Sequence, residues 1–492
     1  MLRTVDAILN RFTMYRVVLY GLGTLLVVAE MLALTGALAI SASGLALSVA
    51  VLSISCYVAN KLCAWLFHAA TNTESWLITA LILACILPPS TSLSRLGFIA
   101  IAGLVAMTSK YVLVFRGSHV FNPAAFAAFV LSVASLLPAT WWIATPWLTP
   151  FTTLLALVVL RKQRKFTLFI SFGAAAGLMM LFVTSMLHHQ QMGDVVQAGV
   201  LSWPIIFMGS IMLTEPTTLP ATRYYQVLLG LLVGALFSSQ LNWGQFYVSP
   251  AVALLIGNLF TLVFVPSFGT MLRLKFIQQL STDIYDAVFE RPARTLAFTP
   301  GQYLEWTLPH NQVDSRGNRR IFSIASSPTE PDIHIGFRHY ERSSSFKNAL
   351  LALTPGKYVR AAHVAGSFTL PNNPAQPLLL IAGGIGITPF RSMIQYLVDT
   401  NQQRNIVILY FAAKQEDFVY KEVFEQARAL GVDTRYMVGR PDPVTIQQNV
   451  PDVTTRVSYI SGPDVLVSSC KTMLRSLGVS MQHIHTDHFT GY

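Results

Sequence analysis

LLLIAGGIGITPFRSM, residues 378–393, decides how the second half of this chain folds. Leu378 to Ala382 form an unbroken apolar run that is short for a helix and suits a buried strand. Gly383, Gly384 and Gly386 then remove side chains where the chain turns, and Thr388-Pro389 places proline in the first turn of a helix, where its missing N–H is not needed. A strand, a glycine turn and a helix in that order leave backbone amides open to a pyrophosphate. Two further apolar runs follow, NIVILYF (405–411) and VSYISGP (457–463). Residues 373–492 therefore read as an α/β nucleotide-binding domain.

Upstream the period changes. ARTLAFTPGQYLEWTL (293–308) consists of short alternating segments broken by Pro and Gly, the pattern of an antiparallel β-barrel. PNNPAQP (371–377) is the linker, so the barrel is placed at 271–372. Within it, RRIFSIASSP (319–328) sets a forked cation, Arg320, beside an aromatic, Phe322, and a hydroxyl, Ser323. In HIGFRHYERSSSFKNAL (334–350), Ser344 and Ser345 stand at a helix entry. There they either cap the helix, present its amides to a phosphate, or do both.

These stretches, with GSFTL (366–370), YISGPDVLVSSCKTML (459–474) and TDHFTGY (486–492), resemble in order the motifs of the ferredoxin–NADP⁺ reductase family. The resemblance implies FAD and NAD(P)H as cofactors. Arg320 would neutralise the FAD pyrophosphate, Phe322 would pack on the isoalloxazine, Ser323 would hydrogen-bond flavin N5, and Ser344 and Ser345 would serve the phosphates. Gly383, Gly384, Gly386, Thr388 and Pro389 would hold the nicotinamide nucleotide, with Gly462 and Pro463 beside its ring. Ser461 stands where the family has cysteine, and Ser323 and Ser461 are the expected catalytic pair. Asp487, Phe489 or Tyr492 would lie near the flavin. Lys414 meets either a 2′-phosphate or solvent, so the choice between NADH and NADPH stays open.

Residues 1–270 obey a different solvent. The whole chain is 53% hydrophobic and 12% charged, about half the charge of an ordinary soluble protein. Residues 1–275 hold 14 of the 34 Lys and Arg but only 5 of the 23 Asp and Glu. Basic loops against an anionic membrane face account for that excess, and no nucleic-acid partner is read from the net charge of +11. About ten spans are expected near 17–40, 42–60, 76–88, 96–114, 121–137, 147–160, 166–187, 196–214, 224–239 and 247–266. With the N-terminus inside, one set of alternate loops carries Arg3, Arg11, Arg16, Lys61, Lys110, Arg116, Arg161, Lys162, Arg164, Lys165, Arg223, Arg273 and Lys275, and the other only Arg95. Both termini are therefore expected in the cytoplasm, with the chain multi-pass in the cell (inner) membrane.

A shift of 127 positions lays Ser75-Trp76 on Ser202-Trp203, Pro89 on Pro216, Thr91 on Thr218 and Pro123-Ala124 on Pro250-Ala251. Five helices separate the copies, so 1–137 and 138–270 are expected as an inverted repeat, with sites at the repeat interface. The prolines of ILPPSTSL (86–93) and MLTEPTTLP (212–220) mark either interrupted spans or simple helix ends. Glu30, inside the first span, is open to a proton or cation relay role or to pairing with a polar backbone break. His68, His119, His188 and His189 lie near predicted ends, without the helical pairs that two haems require, and His119 reads as a surface or interfacial side chain.

GSHVFNPAAFAAF (117–129), MLTEPTTLPAT (212–222) and this layout resemble the B subunit of Na⁺-pumping NADH:quinone reductase and the D subunit of the Rnf complex. That resemblance implies a membrane flavin, FMN or riboflavin, in some members esterified to a threonine in D-x-x-[ST]-G-A-T. ATWWIAT (139–145) keeps Ala144 and Thr145 of that pattern and lacks its Asp, Ser/Thr and Gly. Cys56, Cys63, Cys85 and Cys470 contain no C-x₂-C pair and read as structural thiols, so neither an iron–sulfur cluster nor another metal site is expected.

The sequence thus describes a multi-span α-helical membrane bundle fused to an FAD barrel and an NAD(P) domain. Electrons would pass from NAD(P)H through FAD, and through a membrane flavin, to a quinone or an external acceptor, or to a partner redox protein. Two other readings stand beside it: a redox-coupled Na⁺ or H⁺ carrier, and a membrane-anchored cytosolic flavin reductase.

Overall fold

The computed structural model of the chain describes residues 9, 12–67, 74–115, 118–187, 203–220, 222–239, 242–243, 246–264, 270–291, 296–310, 313–314, 318–341 and 343–487. Arg3, Arg11, Arg116, His68, His188, His189, Phe489 and Tyr492, all named above, lie outside them. The chain divides at Ser267–Phe268 into two compact units.

The N-terminal unit is helical: α1 (Met14–Leu34), α2 (Ala42–Leu66), α3 (Ser75–Ile86), α4 (Leu93–Val112), α5 (Pro123–Val133), α6 (Thr149–Gln163), α7 (Phe166–Leu187), α8 (Arg223–Phe237) and α9 (Pro250–Phe264). Between α7 and α8 a short helix, Ile205–Phe207, widens into a π-helical turn at Met208–Met212. Among the described residues, α1, α2, α4 and the Phe166–Val183 part of α7 are long and apolar enough to cross a membrane, whereas α3, α5, α8 and α9 are shorter apolar helices. Side-chain caps set several starts: Thr13, Ser41 and Asn122 each accept a backbone N–H from the first turn that follows. The first helix ends at Leu34 rather than near residue 40, because Gly36 turns the chain with φ +75°. The fifth covers only 123–133, not 121–137, since Asn122 caps it and Pro123 opens it.

The C-terminal unit carries two sheets. β1 (Thr270–Gln279), β2 (Ile284–Glu290), β3 (Tyr303–Thr307), β4 (Arg319–Ser323), β5 (Asp332–Arg338) and β6 (Tyr358–Ala365) form an antiparallel sheet in the order β4-β3-β6-β1-β2-β5. Its core is aromatic, with Trp306, Phe289, Phe337 and Phe346 fully enclosed. The second sheet is parallel: β7 (Leu378–Gly383), β8 (Ile406–Ala412), β9 (Val432–Val438), β10 (Val457–Ser461) and β11 (Ile484–Thr486), in the order β9-β8-β7-β10-β11. Every residue of β7 and β8 is buried, which explains their unbroken apolar runs. Helices α10 (Ser345–Leu351), α11 (Thr388–Asp399), α12 (Lys421–Gln426), α13 (Pro443–Asn449) and α14 (Asp464–Ser476) complete the unit.

The two sheets are joined by buried polar contacts. Arg391 on α11 donates to Ala325 O (3.1 Å) and, through Nη2, to Glu330 Oε1 (2.8 Å), while Ser392 Oγ donates to Ser326 O (2.6 Å). Arg338 at the end of β5 bridges Asp283 (2.8 Å) and Asp417 (2.7 Å). Burial works against the Arg338 charge, but the hydrogen bonds to the two carboxylates prevail and raise its pKa.

Candidate functional site

In the parallel sheet, β7 is followed by β8 on one side and has β10 on the other, so the strand order reverses between β7 and β10. Ligands of open α/β sheets bind at the carboxyl ends of the strands flanking such a reversal. Gly383 ends β7 and Ser461 ends β10. Gly384 to Ile387 form a 3₁₀ turn, and α11 starts at Thr388 with Pro389 in its first turn; the Thr388 hydroxyl donates to Ile385 O (3.1 Å). Gly384 has φ +53°. A Cβ on Gly386 would lie 2.6 Å from Gly462 Cα, so the loop after β7 and the loop after β10 touch backbone to backbone. Pro463 caps α14.

Ser461 and Ser323, 138 positions apart in sequence and on different sheets, meet at one carboxylate. Ser461 Oγ donates to Asp487 Oδ2 at 3.2 Å and Ser323 Oγ to the same oxygen at a long 3.5 Å. Both serines are buried. Asp487 is held there by its own amide, which donates to Ile460 O (2.9 Å). Tyr303, opposite Ser323 in the β3–β4 ladder, has its phenol pushed up by burial and then by the Asp487 and Glu305 charges.

Residues 380–452 match the family model described as the oxidoreductase NAD-binding domain. Ferredoxin–NADP reductase B of Sorangium cellulosum is 30% identical over 240 residues, which cover 44% of this chain and 96% of that protein. Through its C-terminal unit, the chain belongs to the ferredoxin–NADP reductase family. The stachydrine N-demethylase reductase subunit Stc4 of Rhizobium meliloti is 26% identical over 219 residues, 41% of this chain and 61% of that protein. An NADPH oxidoreductase of Mycobacterium tuberculosis is 30% identical over 203 residues, 39% of this chain and 52% of that protein. The chain thus spans between half and two thirds of these last two. The C-terminal unit is accordingly an oxidoreductase that binds FAD and NAD(P)H.

The residues expected to hold the flavin lie on β4 and at the start of α10. Phe322 packs against Phe337 (6.5 Å between centroids) and Phe346 (5.9 Å), a set of rings suited to carry a planar heterocycle. Arg320 is nine-tenths buried, its guanidinium 5.5 Å from the Phe346 ring centroid. Its Nη2 donates to both oxygens of Asp314 (3.0 and 3.3 Å). Ser344 caps α10 by accepting from Lys347 N, and Ser345 N donates to Asp314 Oδ2 (3.1 Å). Arg320 Nη2 and the Ser345 amide thus converge on one carboxylate, and a guanidinium and an amide so placed also suit a diphosphate. Sequence reading missed Asp314, because a carboxylate in the loop before β4 carries no local pattern of its own. It also missed Arg391, whose role depends on a partner 61 residues away. Lys414 pairs with Glu416 at 3.2 Å, and both are exposed.

In the N-terminal unit, His119 differs from expectation. Only 9% of its side chain is exposed, and it faces Glu215 Oε1 (3.0 Å) and Thr217 Oγ1 (2.8 Å), because the fold brings the segment before α5 against the break after the π turn. The other carboxylate oxygen of Glu215 is buried without a hydrogen-bond partner. Glu215 lines a small, partly open cavity of about 60 Å³ together with Met14, Ser75, Asn122, Gln163 and Ile211. Glu30 is half-buried on α1. At the other proline break, the segment around ATWWIAT fills the space. Thr140 N and Trp141 N donate to Ile86 O (2.9 and 3.0 Å), and Trp142 Nε1 donates to Ala84 O (2.9 Å). The hydroxyl of Thr145 is buried and has no partner.

Proposed function

We propose that this chain is a membrane-bound NAD(P)H oxidoreductase. It takes electrons from NAD(P)H through FAD in the C-terminal unit and passes them, by a second redox group in the helical unit, to a quinone or an acceptor across the membrane. The convergence of Ser323 and Ser461 on Asp487, beside a glycine turn at the strand-order reversal, carries the reading. Bound flavin supplies the two-electron to one-electron conversion; the chain supplies position and electrostatics. Arg320 and Ser345 hold the flavin phosphates, Phe322 bears the ring, and Ser323 hydrogen-bonds its edge. Gly383, Gly384, Gly386, Thr388 and Pro389 seat the nucleotide on backbone amides. Asp487 orients both serine hydroxyls and excludes competing rotamers. By the family resemblance Tyr492 serves the flavin, and Gly462 and Pro463 serve the nicotinamide ring.

The helical unit, by its resemblance to the B subunit of Na⁺-pumping NADH:quinone reductase and the D subunit of Rnf, is the electron exit. That resemblance favours a non-covalent FMN or riboflavin as its redox group. The buried Thr145 hydroxyl and the Trp142 plug argue against a covalent flavin at that threonine. Lipid surrounds the long apolar helices, and a six-stranded sheet curled into a barrel seats the flavin. The names of several relatives, reductase subunits of an N-demethylase and of a monooxygenase, favour a second reading: a partner redox protein as acceptor.

The test uses full-length protein in liposomes that enclose ferricyanide or contain a quinone, with NADH or NADPH added outside. Reduction of the enclosed acceptor or the quinone is expected. Nucleotide oxidation that serves only acceptors outside the vesicle would reduce the helical unit to an anchor, and a pH or Na⁺ gradient would add ion transport.

A further inference from the structure

The acceptor on which the flavin-phosphate donors converge is a side chain of the protein itself. Asp314 takes two hydrogen-bond distances from Arg320 Nη2 (3.0 and 3.3 Å) and one from Ser345 N (3.1 Å). Its own amide donates to Ser345 Oγ (2.9 Å), an atom that also faces His310 Nε2 at 2.9 Å. His310 is fixed in turn by Leu308 O at 2.7 Å. Arg320 and Ser345 are thus engaged through a guanidinium nitrogen, an amide and a hydroxyl by one aspartate from the chain between β3 and β4. A carboxylate shares with a phosphate its negative charge and its paired acceptor oxygens, and forked recognition by arginine does not distinguish the two.

We propose that Asp314 is an internal competitor for the flavin phosphates, a carboxylate latch that occupies the anion subsite and leaves it when FAD enters. The inference rests on the assignment of Arg320 and Ser345 to the FAD pyrophosphate. The charges decide the direction. Arg320 is one buried cation, with 11% of its side chain exposed, and an aspartate plus a diphosphate at the same place would bring excess negative charge to it. Asp314, 26% exposed, stands nearer to solvent and is the group that can be rehydrated at lower cost. Two states follow. In the latched state Arg320 pairs with Asp314; in the loaded state Arg320 pairs with phosphate, and Asp314 and the hydroxyl of Ser345 are released. The apparent affinity for FAD is then lowered by the fraction of protein that is latched. The same exchange keeps an anion beside the buried guanidinium in both states. A pairing that merely steadied Arg320 toward the phosphate would give the opposite sign on removal of the carboxylate.

The experiment compares the full-length protein with Asp314→Asn and Asp314→Ser after removal of flavin, by titrating FAD and following the quenching of its fluorescence. The latch predicts tighter FAD binding in both variants, by about fivefold or more. It also predicts faster association, with a dissociation rate that stays near the wild-type value, since Asp314 is already displaced in the loaded state. Inorganic pyrophosphate alone should bind the flavin-free variants more tightly than the flavin-free wild type, by a similar factor. Unchanged or weaker FAD binding in Asp314→Asn and Asp314→Ser overturns the latch and leaves the flavin assignment standing. Arg320→Lys keeps the charge and loses the fork; if wild type and Arg320→Lys bind FAD equally well, the assignment of Arg320 to the pyrophosphate is wrong and the latch falls with it.

Discussion

Two glycine- or proline-marked breaks, one in each unit, solve the same problem in different surroundings. At Gly383–Ile387 the parallel sheet ends in a turn in which Gly384, Ile385 and Gly386 stay partly exposed, with Gly386 pressed against the Gly462 backbone. At Ile86–Pro89 the apolar α3 ends where other protein groups take its last carbonyls: Ile86 O by two amides, Cys85 O by the Ile143 amide and Ala84 O by the Trp142 indole. Water can satisfy an open backbone group, whereas an apolar bundle cannot, so the first break remains available to a ligand and the second is closed by protein. The repeat partner of the closed break, at Leu213–Pro216, is the informative exception. It borders a cavity and keeps one oxygen of Glu215 unsatisfied, the condition of a site rather than of a finished core.

That contrast can be broken in four ways. Arg391→Ala should have the largest effect: it strands Glu330 at the junction of the two sheets, where 10% and 17% of the side chains are exposed. A loss of about 3 kcal/mol is expected in denaturant titrations of the C-terminal unit. Gly386→Val drives a side chain into Gly462 and should weaken NAD(P)H use by roughly 100-fold, about 3 kcal/mol, while FAD content is unchanged. Loss of flavin along with nucleotide use would show that the two sheets do not bind separately. Trp142→Phe removes one indole N–H from Ala84 O and should lower the thermal stability of the helical unit by about 1–2 kcal/mol. NAD(P)H-dependent ferricyanide reduction should not change; if it does, the closed break is part of the electron path.

The smallest effect is one of pH. Burial pushes the Cys470 thiol up from 9.0 to about 12 and raises the phenol of Tyr420 well above its ordinary value, with the Asp286 charge adding to it. The folded state holds these protons more tightly than the unfolded chain does. Their contribution to stability is therefore complete below about pH 9 and fades as pH rises from there toward 12. Denaturant midpoints that hold constant from pH 8 to beyond about pH 10.5 would contradict the burial of these groups.

The nucleotide half was legible because its signals are local. Gly383, Gly384, Gly386 and Pro389 fix a turn by their own conformational limits, and the apolar runs of β7 and β8 report burial on both faces. The meeting of Ser323, Ser461 and Asp487 was half legible: each sat in a recognisable motif, but their convergence depends on how two sheets pack. Asp314 and the Arg391–Glu330 contact were not legible, since charged residues in loops look alike until a partner is known. His119 was read as a surface or interfacial side chain for the same reason; only the fold brings Glu215 to it. Helix ends in the apolar unit shifted by several residues where a cap or a glycine, not hydropathy, sets the stop, as at Leu34 and Pro123.

The flavin and nucleotide chemistry of the purified full-length protein tests the central claim most directly. Acid release should yield FAD in amounts equal to the protein, and anaerobic NADH or NADPH should bleach the bound flavin. Colourless protein that cannot be reconstituted with FAD, and that oxidises neither nucleotide, would contradict the account.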